Sequence, residues 1–217
     1  EVPLPTVRGA AYVIGWLTFQ IVLQVALPGR RVLGLAQRDG QKIHYKLNGL
    51  ASYVVSLAAL GGLYAAGKLR GVSVLAELGP MLSISILFAF ALSFFLDVYG
   101  FSSTRVERRS GNVVYDYFMG SALNPRIGEF DLKFFFESKI GLTTWIAIDL
   151  AMAAAQYERS GHLSVPMMLV LAFQIFYVGD FYVFEDAMLS PWDIPSAKYG
   201  LLIAFGFVVW LPFPFSL

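Results

Sequence analysis

The chain has 217 residues, 57% of them hydrophobic and 14% charged, with a mean hydropathy of +0.64 and a net charge of +1. A water-soluble domain carries about a quarter of its residues as charged ones, so the composition excludes an ordinary soluble enzyme and indicates a membrane protein. The absence of cysteine excludes disulfides, a thiolate nucleophile and cysteine-ligated metal or iron–sulfur centres.

Five apolar stretches, near 9–29, 47–67, 78–96, 163–179 and 199–217, read as membrane spans. Each supplies roughly 17 to 21 residues with little or no charge, enough to cross the hydrocarbon as a helix. A sixth, near 140–157, carries Asp149 within "GLTTWIAIDLAMAAAQY"; one carboxylate is tolerable if it faces a bundle interior. The expectation is an all-α, polytopic bundle of about six helices. Continuous rather than alternating apolar runs argue against a transmembrane β-barrel. The first stretch is too long for a signal-peptide core.

If the amino terminus lies outside, the connectors 28–46, 100–139 and 188–198 are cytoplasmic and hold three-quarters of the 16 Lys and Arg. That bias favours this orientation. Basic residues beside headgroups need no nucleic acid partner.

The first connector, "PGRRVLGLAQRDGQKIHYKLNGL", mixes turn signals with amphipathic residues and reads as an interfacial loop. His44 and His162 are isolated and suggest no metal cluster. At "GP", residues 79–80, the third span begins or bends. The connector 100–139 is too short for a second domain and too aromatic for a disordered linker. It is expected to fold against the helices.

In the fourth span Asp149 and Gln156 share a face, as a packing hydrogen bond or as part of a polar site. The fifth, "LAFQIFYVGDFYVFEDAML", holds Gln174, Tyr177, Asp180, Tyr182, Glu185 and Asp186. A phenol beside a carboxylate can bind a hydroxyl or supply a proton; an aromatic belt above a solvated helix end is the plainer alternative. The acidic residues of the spans admit a transporter, but no inverted repeat accompanies them. No glycine-rich dinucleotide cradle is present.

Two segments carry a resemblance. "GNVVYDYFMGSALNPRIGEFDLKFFFESKIGLTTW" and "FQIFYVGDFYVFEDAMLSPWDI" strongly resemble the sterol reductases that act on C14 and C7 double bonds, a family that includes the sterol-reductase domain of the lamin B receptor. "HYKLNGL" is a weaker match. The resemblance implies a fold of about ten helices and reduction of a sterol carbon–carbon double bond, here the C14–C15 bond. The implied route is protonation of the alkene, then hydride from NADPH. It also implies a multi-pass protein of the endoplasmic reticulum in a eukaryote or of the inner membrane in a bacterium.

Carried onto this sequence, Tyr177 and Asp180 resemble the pair near the buried end of the substrate, with Glu185 in support of the proton donor. Asn124 and Arg126 in "LNPR" are expected to contact NADPH, or else to cap the backbone and hold the loop by a salt bridge. Tyr115, Asp116, Asp149, Trp192 and Asp193 are expected at the substrate or the rim, while Asp131 and Glu137 read as braces beside Lys133 and Lys139. "FESKIG" departs from the family's "CELRPG" by lacking the cysteine, arginine and proline. The resemblance covers residues 1–217 as an amino-terminal portion; the later half, with its "RHPNY" cofactor region, is expected to be required as a partner for activity. The remaining alternative is a sterol-binding or scaffold protein without turnover.

Overall fold

The computed structural model describes residues 3–36, 40–102, 110–191 and 193–216. Helix α1 (Val7–Ala26) is capped at its start by Thr6, whose Oγ1 accepts from the Gly9 amide at 2.9 Å. It leads into an antiparallel hairpin, β1 (Arg30–Ala36) and β2 (Lys42–Leu47), with Arg30 opposite Leu47 and Leu33 opposite His44. The sequence reading expected a loop here. The hairpin closes because Gly34 lets the Tyr45 ring lie across the strand: a Cβ at Gly34 would stand 2.7 Å from Tyr45 Cε2.

Helices α2 (Gly49–Ala65), α3 (Gly71–Ala76) and α4 (Leu78–Ser102) follow. Pro80 sits in the first turn of α4, where a missing amide hydrogen costs nothing. After α5 (Val113–Met119) comes a two-residue hairpin, β3 (Arg126–Ile127) and β4 (Phe130–Asp131), then α6 (Leu132–Phe135). A π-helical turn, Phe136–Gly141, runs into α7 (Leu142–Ser160), which ends on Gly161 in the left-handed conformation. Ser164 caps α8 (Val165–Val183), and a 3₁₀ turn (Glu185–Leu189) follows it. α9 (Asp193–Ser196), α10 (Leu201–Phe205), a second π turn (Gly206–Trp210) and a final 3₁₀ turn (Pro214–Ser216) complete the described elements.

Helices α1, α4 and α8 are long and apolar enough to cross a membrane; α2 and the stretch Leu201–Ser216 are apolar but shorter. The fold is therefore largely helical, with several candidate spans and two small hairpins. Helix α7 is long enough but more polar, and its Asp149 turns inward with only 6% exposure. Leu87, Phe94, Phe173 and Phe176 point outward, as side chains against lipid do.

One core joins Phe135, Phe136 and Ile140 to Tyr199, Ala204 and Val208, so the two π turns pack on each other and on α4. A second joins Tyr53, Ile146, Val178 and Tyr182, where α2, α7 and α8 meet. The three connectors assigned to one side by their charge meet at one end of the bundle. Arg31 bonds Glu129 at 2.8 Å, Arg30 faces Asp186, and Lys133 reaches the carbonyls of Asp193, Ile194 and Ala197.

Candidate functional site at the connector end

Asn112 Oδ1 accepts from the Val114 and Tyr115 amides and starts α5. This buries Asp116, whose carboxylate accepts from the Ser110 amide at 3.0 Å. That backbone bond, helped by Gly111 and Lys198, holds the carboxyl below its ordinary range. Asp116 is thus a loop fastener, while its neighbour Tyr115 projects outward.

Further along, Arg126 is held on three sides. Its Nε donates to Asp131 Oδ2 at 2.9 Å, Nη1 donates to the His44 carbonyl at 3.1 Å, and the guanidinium lies 4.9 Å from the Tyr45 ring centre. Burial raises the Tyr45 phenol well above its ordinary range, so it stays neutral under this cation. Asp131 also accepts from the Phe134 amide and caps α6. Arg126 therefore ties the loop to the first hairpin. Asn124 is enclosed two residues earlier.

A second polar group lies deeper. Lys139 donates to Asn48 Oδ1 and to Ser52 Oγ, and shares a field with Glu185. Asn48 in turn donates to the carbonyls of Leu23, Gln24 and Leu27, satisfying the end of α1. Glu185 accepts from the Gly49 amide at 2.7 Å and is 4% exposed. Burial raises its pKa against the pull of Lys139. From Ser52 the chain of bonds continues through Ser56 to Gln20, inside the bundle.

Tyr177 and Asp180, one helical turn apart, both face outward on α8, and Tyr177 packs edge-on against Trp145. Glu185 lies five residues beyond Asp180, about 8 Å further along by helical rise, and turns inward. The structure thus brings Tyr177 to Asp180 but separates both from Glu185. Asp149 is buried in α7, with Oδ2 lacking a hydrogen-bond partner. Asp193 begins α9, with its carbonyl taken by Lys133. Trp192 lies outside the described residues.

Sequence reasoning missed Asn48, Ser52 and Gln20. The weakly matching "HYKLNGL" was the one signal for Asn48; the others look like ordinary small or amide residues in a helix. Lys133 was expected to balance carboxylates, yet its ammonium also holds three backbone carbonyls.

A dinucleotide needs cations free to meet phosphates and a polar cleft to admit the chain. Arg126 is engaged within the loop, and Asn124 is enclosed. A cavity of about 320 Å³ among α1, α2, α4 and α7 is lined mainly by apolar groups such as Leu17, Leu60, Ile148 and Phe213. As the structure places them, Arg126 and Asn124 are therefore held in or enclosed by the loop rather than presented to a cofactor phosphate.

Residues 5–217 match the family model described as the ergosterol biosynthesis ERG4/ERG24 family. The chain belongs to that family. It is 42% identical over 213 residues to a Delta(14)-sterol reductase of Methylotuvimicrobium alcaliphilum, covering 98% of this chain and 50% of the relative. It is 35% identical to a Delta(14)-sterol reductase of Dictyostelium discoideum (97% and 46% covered) and 36% identical to Delta(14)-sterol reductase TM7SF2 of Mus musculus (93% and 49%). The chain spans about half the length of these relatives. The two segments that carry the resemblance, 111–145 and 173–194, meet where Lys133 donates to the carbonyls of Asp193 and Ile194.

Proposed function

We propose that this chain forms part of a membrane oxidoreductase that saturates a carbon–carbon double bond in a sterol nucleus, with the C14–C15 bond as its target and NADPH as reductant. The observation that carries this reading is the family match over nearly the whole chain, to relatives named Delta(14)-sterol reductase. Cofactor contacts are assigned to the family's later half as partner, and Asn124 and Arg126, held within the loop, shape the rim beside it.

This chain's own part is on the acid side. An isolated alkene accepts a proton only from a positioned donor, and a phenol or carboxyl within reach can act as one. The Tyr177–Asp180 face of α8 presents both groups on a single turn, away from the core. Glu185 and Lys139 fix the end of α8 against α2 and so hold that face in place. Asp149 and Asp193 belong to the surrounding polar frame rather than to proton transfer.

The test is an assay of the full-length protein in detergent or liposomes with NADPH and a C14-unsaturated sterol. Loss of the double bond with one NADPH oxidised per sterol is the expected result. Tight sterol binding without NADPH oxidation would instead identify a sterol-binding scaffold, and proton flux through liposomes a transporter.

A further inference from the structure

Glu137 has no part in the reading above, yet it is among the most enclosed side chains of the molecule. It is 1% exposed, and neither carboxyl oxygen has a hydrogen-bond partner. Three more side chains, on segments packed against the same region, are similarly stranded: Ser121 Oγ, both polar atoms of the Asn124 amide, and the hydroxyl of Tyr199, which is fully buried.

Backbone contacts hold these residues together. The Tyr199 amide donates to the Ala122 carbonyl at 2.9 Å, and the Leu132 amide donates to the Pro125 carbonyl at 2.9 Å. Gly120 and Gly200 touch so closely that a Cβ on Gly200 would stand 2.2 Å from the Gly120 nitrogen. The Tyr199 ring stacks on Phe136, one residue before Glu137, at 6.4 Å, and its hydroxyl lies in the field of the Glu137 and Asp131 carboxyls. The 120–125 loop, the first π turn and the start of the last apolar stretch are therefore packed against one another, with the Tyr199 hydroxyl and the Glu137 carboxyl close enough to feel each other.

Buried polar groups in native proteins are almost always satisfied, by protein or by ordered water. Four stranded side chains from three segments offer donors and acceptors in the number that a bridging water needs, two to four partners. We propose that Ser121, Asn124, Glu137 and Tyr199 enclose an internal hydration site, in which one or a few water molecules bridge the four side chains and lock the 120–131 loop onto residues 193–200.

An unpaired ionised carboxylate in such a place is costly, whereas a neutral acid both donates to and accepts from water. Glu137 therefore works as the neutral acid. The charged and titratable groups around it are Lys133 on the same helix, Asp131 at the helix start, Asp193 from α9, Tyr45 from β2 and Tyr199. Lys133 is turned to the carbonyls of 193–197, on the same segment that the water site secures. Glu137 is a positioning residue: it acts on the rim through water and touches no reacting atom.

The competing arrangement is dry, with Glu137 ionised and paired directly to Lys133. Infrared spectra of the full-length wild type and E137Q through a pH titration separate the two. A protonated-carboxyl band at neutral pH, absent from E137Q, is the expected result; its absence from the wild type overturns the proposal. Melting of E137Q and E137L gives a second reading. An amide satisfies the same waters, so E137Q should melt close to wild type and E137L several degrees lower. E137Q falling as far as E137L would show that the charge itself is needed and would overturn the neutral site. A high-resolution map of the full-length protein should hold solvent density between Glu137 and Tyr199 or Asn124. Direct contact of Glu137 with Lys133, and no density between those groups, would also overturn it.

Discussion

Replacing Glu185 by leucine separates bracing from chemistry. In the folded protein this carboxyl is 4% exposed, takes the Gly49 amide at 2.7 Å and lies in the field of buried Lys139. Leucine removes the acceptor, which strands a buried amide at about 1–3 kcal/mol. Lys139, which lies in its field, also loses that favourable interaction. About 1–3 kcal/mol is the expected total, a fall in Tm of a few degrees. Glutamine keeps an acceptor for Gly49 and should fall between wild type and leucine. The assay is thermal melting of the detergent-solubilised full-length protein beside its turnover. If E185L melts like wild type but is inactive, Glu185 belongs to the chemistry and the bracing argument fails.

Other outcomes follow from single contacts. Gly71→Ala would place a Cβ 2.2 Å from the Ala155 nitrogen and 2.5 Å from the Ala151 carbonyl oxygen. Only backbone is in the way, so α3 and α7 must part, and melting should show a loss of about 1–3 kcal/mol; an unshifted transition would refute that packing. For Asp116 the sign is set by its depressed pKa. The stability it contributes is present above the unfolded value of roughly 4 and is lost as pH falls through the lower folded value. Asp116→Asn should therefore weaken the protein at neutral pH and flatten its acid limb, as read by melting from pH 7 downward; an acid limb identical to wild type would remove the carboxylate from that role.

Part of the bundle was legible because apolar runs of spanning length are local features: α1, α4 and α8 fall on expected stretches and are long and apolar enough to cross a membrane. Asp149 turned inward for the reason visible in the sequence: a carboxylate cannot face lipid cheaply. The first hairpin was not legible. Its strands do not alternate cleanly, and what closes it is Tyr45 lying over Gly34, a fit that appears only once the strands pair. The polar end of the bundle was legible as a set of residues, not as a set of partners. Arg126 looks like a phosphate ligand in "LNPR", yet it reaches the carbonyl of His44, 82 positions away. Lys139 finds Asn48 over a similar distance. Such long-range pairings leave no periodic trace, and a buried lysine or arginine reads the same in sequence whether it holds a ligand or a loop. In α8, Tyr177 and Asp180 stand one turn apart on the outward side, but the helix gives way to a 3₁₀ turn before Glu185, which turns inward, a break that the apolar run does not announce.

The central claim is that α8 supplies the acid side of sterol reduction from its outward face. Turnover of a C14-unsaturated sterol with NADPH by full-length wild type, Tyr177→Phe and Asp180→Asn, each checked for unchanged melting, tests it most directly. The account predicts that at least one variant loses on the order of 10²-fold or more in kcat, the usual contribution of a positioned acid, while still binding sterol. Full turnover in both variants would contradict it and move proton transfer off α8.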